Sequence, residues 1–362
     1  GSEPAAARPR GAPAPSAAPA PAPPQGCPWD EQQGELLSRL ALAERQLSEQ
    51  LQRCASLEQD LVGEIFEGAE VVCATITGCG SDAFSGKSFD MVLMDEASQA
   101  TEPRALIAVS RLARDGRLVL VGDQKQLPPT CISQRAREKG LGLSLFDRLL
   151  GLPCLAPALL AVQYRMHPLI RQWPSEAFYG GRLLDGVPAS LRLPVPGLRW
   201  PAAGGVAFVE SGAPEERSPD GCSWQNRGEG RLVGALLRGL AQVLPPEDVG
   251  VISPYRGQVR LLRQQLPAGP EVKTVDGYQG REKSVIVISC VRSNPEGRVG
   301  FLSDPRRLNV ALTRAKRGLI VVGDRSTLQH CRHWRSWFDF VDAHRLAVAA
   351  EGLMEACSDV IA

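Results

Sequence analysis

Six times along this chain a short apolar run is followed at once by a polar signature, and that repetition constrains the fold more than any other feature. Val71-Val72-Cys73-Ala74 precedes Thr75, Met91-Val92-Leu93-Met94 precedes Asp95-Glu96, and residues 118–121 precede Gly122-Asp123-Gln124-Lys125-Gln126-Leu127-Pro128-Pro129. Residues 159–162 precede Gln163-Tyr164-Arg165-Met166-His167-Pro168, and residues 249–252 precede Ser253-Pro254-Tyr255-Arg256-Gly257-Gln258. Residues 272–275 precede Asp276-Gly277-Tyr278-Gln279-Gly280-Arg281-Glu282. Apolar runs without alternation read as strands buried on both faces. Helix-length segments separate most of them, which predicts a doubly wound α/β fold with its chemistry just beyond the strand ends. Asp95 and Glu96 then lie where a nucleotide would bind. One carboxylate can hold Mg²⁺ through its water shell, and the next can orient or deprotonate an attacking water. Taken alone, the same stretch also reads as a helix N-terminus with acidic residues at the positive end of the dipole.

At 362 residues the chain is long enough for two domains with their own cores. No apolar run reaches the ~20 residues of a membrane span, and no signal-peptide pattern is visible. A net charge of +1 does not advertise a nucleic-acid binder, yet a groove needs only local charge. The ten cysteines are scattered without a CxxC pair, which argues against a zinc framework and for free thiols in an intracellular compartment. His330, Cys331, His333 and His344 form a loose cluster that reads as surface helix residues more readily than as a metal site.

Residues 1–26 are Pro/Ala-rich and predicted disordered, and Gly1-Ser2 has the form of a cloning scar. Residues 30–66 have helical character: Leu40, Ala43, Leu47, Cys54, Leu57 and Leu61 make a rough heptad stripe that includes Gln50. A coiled-coil dimer is one reading, a single amphipathic helix packed on the sheet the favoured one, and this helix is a candidate protein-partner surface. Residues 181–230 read as Pro/Gly-rich loops around a strand at residues 206–209. Trp334, Trp337, Phe338 and Phe340 read as the apolar face of a closing helix rather than a base-stacking site.

Asp95-Glu96-Ala97-Ser98-Gln99, residues 122–129, 163–168 and 274–282, and Leu308-Asn309-Val310-Ala311-Leu312-Thr313-Arg314-Ala315-Lys316 stand in the order of the superfamily 1 helicase motifs. Residues 70–324 resemble the 5′→3′ group that includes the nonsense-mediated-decay helicase, senataxin and the GRF-zinc-finger helicase. The resemblance implies two RecA-like domains, and a composition change near residues 151–157 places the boundary between them: a partial first one over 27–154 with its leading helix, a second over 155–345, and a tail over 346–362. It also implies ATP and Mg²⁺ as cofactors and single-stranded DNA or RNA as partner; from the apolar runs and the scattered thiols, no membrane association and an intracellular location are expected, with the nucleus favoured over the cytoplasm. By resemblance Asp95 binds Mg²⁺, Glu96 is the catalytic glutamate and Gln126 senses the γ-phosphate. Tyr164 packs on the adenine, Arg165 and Arg314 are arginine fingers, and Glu282 contacts the ribose. Thr75, Pro254 and Thr274 match positions near the nucleic-acid strand. Permanently charged, planar arginines suit the charge that builds on a transferred phosphoryl group. Arg314 exposed on a helix face and Arg165 in an internal salt bridge are the plainer readings of those two residues.

The phosphate-binding pattern GxxxxGK[ST] is expected upstream of Asp95. Ser85-Gly86-Lys87-Ser88 does not supply it: position 81 is Ser81, Gly80 is one residue too early, and Lys87-Ser88 leads straight into the Met91 strand. The expectation is a portion of an ATP-dependent helicase, as fragment, splice form or degenerate copy, that does not hydrolyse ATP alone. The alternative is a non-hydrolysing regulatory or interaction protein on a helicase scaffold.

Overall fold

The structure, a computed structural model, describes residues 28–202, 204–266 and 269–354. The predicted disorder of residues 1–26 lies outside the described residues. The chain divides into two compact units, residues 1–74 and residues 75–362. Among its described residues the first contains one helix, Pro28–Gly68, none of whose leucines is buried. The predicted strand at Val71–Ala74 is absent: these residues are irregular, and no neighbouring strand pairs with them.

In the second unit β1 (Phe89–Met94) and β2 (Leu112–Leu120) form a two-stranded parallel sheet, joined by the helix Glu102–Val109. Val92, Met94 and Leu120 point to one face, where they pack with Ala105, Ala108 and Leu145. Side chains alternate across a strand, so Met91, Leu93 and Val119 point to the other face, and they are exposed. Residues 159–162 give less strand than their composition predicts. Only Val162–Gln163 (β3) is extended in a ladder, and it pairs in parallel with Leu184–Asp185 (β4) instead of joining a large sheet.

Six strands make the large sheet, and every pairing in it is parallel. Its members are β5 (Val206–Glu210), β8 (Val249–Ser253), β9 (Glu271–Thr274), β10 (Lys283–Ser289), β11 (Ala315–Gly323) and β12 (Ala347–Val348), in the order β12-β5-β11-β10-β8-β9. A short antiparallel pair, β6 (Glu216–Arg217) and β7 (Trp224–Gln225), lies apart from it. Alternation sends Ile286 and Ile288 to one core with Phe208, Leu308, Trp334, Trp337 and Phe338. Val285 and Val287 go to the opposite core, with Leu236 of helix Arg227–Leu240 and Leu262 of helix Arg256–Gln265. Helices therefore cover both faces, as the unbroken apolar runs predicted. The helices Pro168–Tyr179 and Pro305–Leu312 each begin with proline, preceded by a capping side chain: His167 Nδ1 accepts from Leu169 N and Asp304 Oδ1 from Arg306 N. The closing helix is Arg332–Ala343, and all four aromatics assigned to its apolar face are buried.

One buried polar network ties these layers together. Glu229, fully buried, accepts from Val291 N at 2.8 and 2.9 Å and from Ser289 Oγ at 2.6 Å. Gln258 Nε2 donates to Ser289 Oγ, and its Oε1 accepts from Asn226 N. Val291 is a β-branched residue at φ 73°, a strained conformation that the carboxylate helps to hold. Burial pushes the Glu229 carboxyl up to about 8, against the hydrogen bonds that favour its charged form. A carboxyl with a folded pKa above its ordinary value of 4.5 loses stabilisation as pH rises between the two values. Relative to Glu229→Gln, the wild type is therefore expected to lose unfolding free energy steadily from about pH 4.5 to about pH 8. Urea unfolding of both proteins across that window checks it, and a pH-independent difference refutes it.

Candidate active site

Asp95 and Glu96 follow β1 directly. Asp95 is exposed, and its Oδ1 accepts from Glu96 N at 2.9 Å. Glu96 takes the left-handed conformation at φ 51°, which turns the chain sharply off the strand, and Gln99 Nε2 donates to its Oε2 at 2.5 Å. The loop after β2 packs beside them: Gly122 sits so close to Ser98 that a Cβ there would meet Ser98 N at 2.9 Å. In that loop Asp123 Oδ2 accepts from Gln126 Nε2 at 2.7 Å and from Tyr179 OH at 2.6 Å.

The arginines approach this loop from the large sheet's side. Arg314 is 3% exposed, donating through Nε to Val310 O and through Nη2 to Thr313 Oγ1 and, at 3.4 Å, to Gln126 Oε1. Burial, then the nearby Arg165 charge, bring its pKa down to about 10, while Glu96 and Glu282 act in the opposite sense. Arg314 forms no ion pair among the described residues. Arg165 Nε donates to Glu282 Oε2 at 2.5 Å and Nη1 to Thr313 O at 3.1 Å. Lys316 Nζ lies 2.8 Å from Glu282 Oε1. Burial raises the Glu282 carboxyl, but hydrogen bonds from Lys316 and Arg165 prevail and bring it down to about 2. Glu96, Gln126, Arg165, Glu282 and Arg314, far apart in sequence, thus form one electrostatic cluster.

The remaining candidates lie elsewhere. Tyr164 is 65% exposed, with its ring edge against Gly186. Thr75 Oγ1 accepts from Gly78 N and Thr274 Oγ1 from Gly277 N, each within its own turn. Pro254 lines a small apolar pocket with Val275, Phe301 and Leu308. The sheet also separates functions that the strand-end rule placed together. Pro254 follows the carboxyl end of β8 and Thr274 is the last residue of β9, whereas Glu282 and Arg314 precede the amino ends of β10 and β11, where Lys283 pairs with Ala315.

Sequence reasoning assigned no role to Tyr179 or Asn309. Asn309 Nδ2 donates to Lys125 O at 2.9 Å and to Tyr179 OH at 2.8 Å, so both residues bind the loop at 122–129 to the large sheet's helices. Burial, then the charge of Asp123, raise the Tyr179 phenol, which stays a donor to that carboxylate. Asn309 stood inside a quoted motif; Tyr179 carried no signal beyond closing its helix before Gly180. The side chains here suit the metal-side and γ-phosphate end of a nucleotide. A cradle for the other phosphates is not formed at Ser85–Ser88, where Gly86 makes an open turn at φ 69° and the chain runs directly into β1 without a helix.

Two parallel α/β sheets, with the carboxylate loop of one beside the buried Arg314 and the half-buried Arg165 of the other, place the chain in the RecA-like class. Family models described as AAA domains match residues 30–134 and 141–326. The chain is 41% identical over 313 residues to the regulator of nonsense transcripts 1 homolog of Neurospora crassa, covering 83% of this chain and 27% of that relative. It is 39% identical to the Drosophila melanogaster homolog over 82% of this chain and 26% of the relative. To the ATP-dependent helicase NAM7 of Saccharomyces cerevisiae it is 40% identical, over 78% of this chain and 30% of the relative. The structure of the PRRSV helicase overlaps 73% of this chain and 42% of that one, at 15% identity and a TM-score of 0.38. The chain belongs to the superfamily 1 helicases of the Upf1/NAM7 nonsense-mediated-decay type, and it spans between 26% and 30% of the length of the curated relatives named here.

Proposed function

We propose that this chain is the part of an ATP-dependent 5′→3′ helicase that senses and cleaves the γ-phosphate, and that alone it does not hydrolyse ATP. The observation that carries the reading is the meeting of Gln126 with Arg314, beside Arg165 and within reach of the Glu96 charge. Asp95 recruits Mg²⁺, Glu96 orients the attacking water, and Gln126 reads the γ-phosphate. Arg165 and Arg314 neutralise charge on the transferred group. Tyr164 takes the adenine and Glu282 the ribose. Two RecA-like domains, parted near residue 154, make hydrolysis depend on their closure. Single-stranded DNA or RNA runs past Thr75, Pro254 and Thr274. No helix among the described residues is long and apolar enough to cross a membrane, and the proposed setting is intracellular, nucleus before cytoplasm. The open turn at Ser85–Ser88 favours a second reading, a non-hydrolysing regulatory or interaction protein on this scaffold.

Steady-state ATP hydrolysis with Mg²⁺ and single-stranded nucleic acid separates the readings. The chain alone is expected to stay at background. Joined to the phosphate-loop segment of a Upf1-type relative, it is expected to turn over, and Glu96→Gln to remove that turnover while leaving ATP binding largely intact. Turnover by the chain alone, abolished by Glu96→Gln, refutes the deficiency. An inert joined protein refutes the motor reading in favour of the second.

A further inference from the structure

The helix Pro28–Gly68 is 41 residues long, about 60 Å at 1.5 Å per residue. Leu36, Leu40, Leu47, Leu57 and Leu61 are each more than half exposed along it. With Ala43, Gln50 and Cys54 between them, the series steps alternately by four and three residues, which defines a heptad frame. Leu40, Leu47, Cys54 and Leu61 fall at a positions, and Leu36, Ala43, Gln50 and Leu57 at d positions. Leu37, Leu51 and Ile65, also exposed, fall at e and widen the seam. An ion pair along this helix, Arg45 with Glu49, falls at f and c, on the side away from the seam.

We propose that this helix pairs with the same helix of a second copy, parallel and in register, as a two-stranded coiled coil. The charges choose both occupant and direction. In a parallel pair each g residue faces the e residue five positions later on its partner. Arg39 then faces Glu44 of the other copy and Arg53 faces Glu58, giving four attractive pairs by symmetry and no repulsive one. The remaining g positions of this stretch, Gln46 and Asp60, face Leu51 and Ile65. An antiparallel pair centred on Leu51 would set Glu44 against Glu58. Exposed ion pairs add little affinity, so the leucines supply the attraction and the charges the register. Gln50 meets its own copy at d, where a single buried amide favours one register over slipped ones. The pairing is independent of the nucleotide reading.

Sedimentation velocity of the whole chain is expected to show a dimer that dissociates on dilution. Leu47→Glu with Leu61→Glu is expected to give a monomer whose remaining thermal transition is unchanged. Glu44→Arg with Glu58→Arg should weaken self-association, as should Arg39→Glu with Arg53→Glu, while mixing the two proteins restores a one-to-one dimer. Copper–phenanthroline, which takes up the two electrons as two thiols lose their protons, should join Cys54 to its own copy. At a their Cα atoms fall within the ~4.4–6.8 Å that a disulfide requires. The exposed thiols Cys73, Cys154 and Cys222 make Cys54→Ser the needed control. A monomer at every concentration, a dimer that survives the leucine substitutions, or crosslinking that persists in Cys54→Ser overturns the proposal.

Discussion

Arg314→Ala, made in the chain joined to a Upf1-type phosphate-loop segment, is expected to lower ATP turnover by about 10³–10⁵-fold, the usual cost of losing an arginine finger. Its burial sets the expected effect on stability. Arg314 is not a solvated helix-face residue: it is 3% exposed, bonded to Val310 O, Thr313 Oγ1 and Gln126 Oε1, and held without an ion pair among the described residues. Removing it deletes those bonds but also a buried charge whose desolvation Glu96 and Glu282 offset only in part. Unfolding free energy is therefore expected to change by no more than about 1–3 kcal/mol. Arg314→Lys keeps a charge but loses the planar fork, so it should retain the fold and still turn over slowly. Rapid-quench hydrolysis and thermal melts check both. A collapsed melting transition with near-normal turnover in the surviving folded protein would identify Arg314 as a structural residue.

Binding of single-stranded nucleic acid is expected to weaken by about 300-fold between about 50 and 200 mM salt, for a site neutralising about six phosphates. The net charge of +1 cannot produce this; local arginine and lysine contacts with the backbone must. Base sequence should matter little, since backbone tracking and stacking are tolerant of it. Fluorescence anisotropy with homopolymeric and mixed strands over a salt series reads both. Tight, salt-independent, sequence-selective binding refutes the expectation and moves the contacts from phosphates to bases.

The sequence by itself determined the α/β class, because a strand covered on both faces must be apolar at every position and cannot conceal that pattern. Residues 249–252 and 285–288 carry it and lie in adjacent interior strands of the large sheet. It determined the closing aromatic helix, and the order of signatures that placed the chain in its family. It overstated Val71–Ala74 and residues 159–162, since an apolar run becomes a strand only where a neighbour's backbone completes the ladder. Those pairings depend on residues far away in the chain. Only the tertiary structure decided that Glu282 and Arg314 lie at the amino ends of their strands while Pro254 and Thr274 lie at the carboxyl ends of theirs. Crossovers and register set which end faces the carboxylate loop, and local composition encodes neither. For the same reason Tyr179 was invisible. Its place beside Asp123 comes from how its helix packs, and a lone tyrosine before a glycine records nothing of a carboxylate 56 positions away.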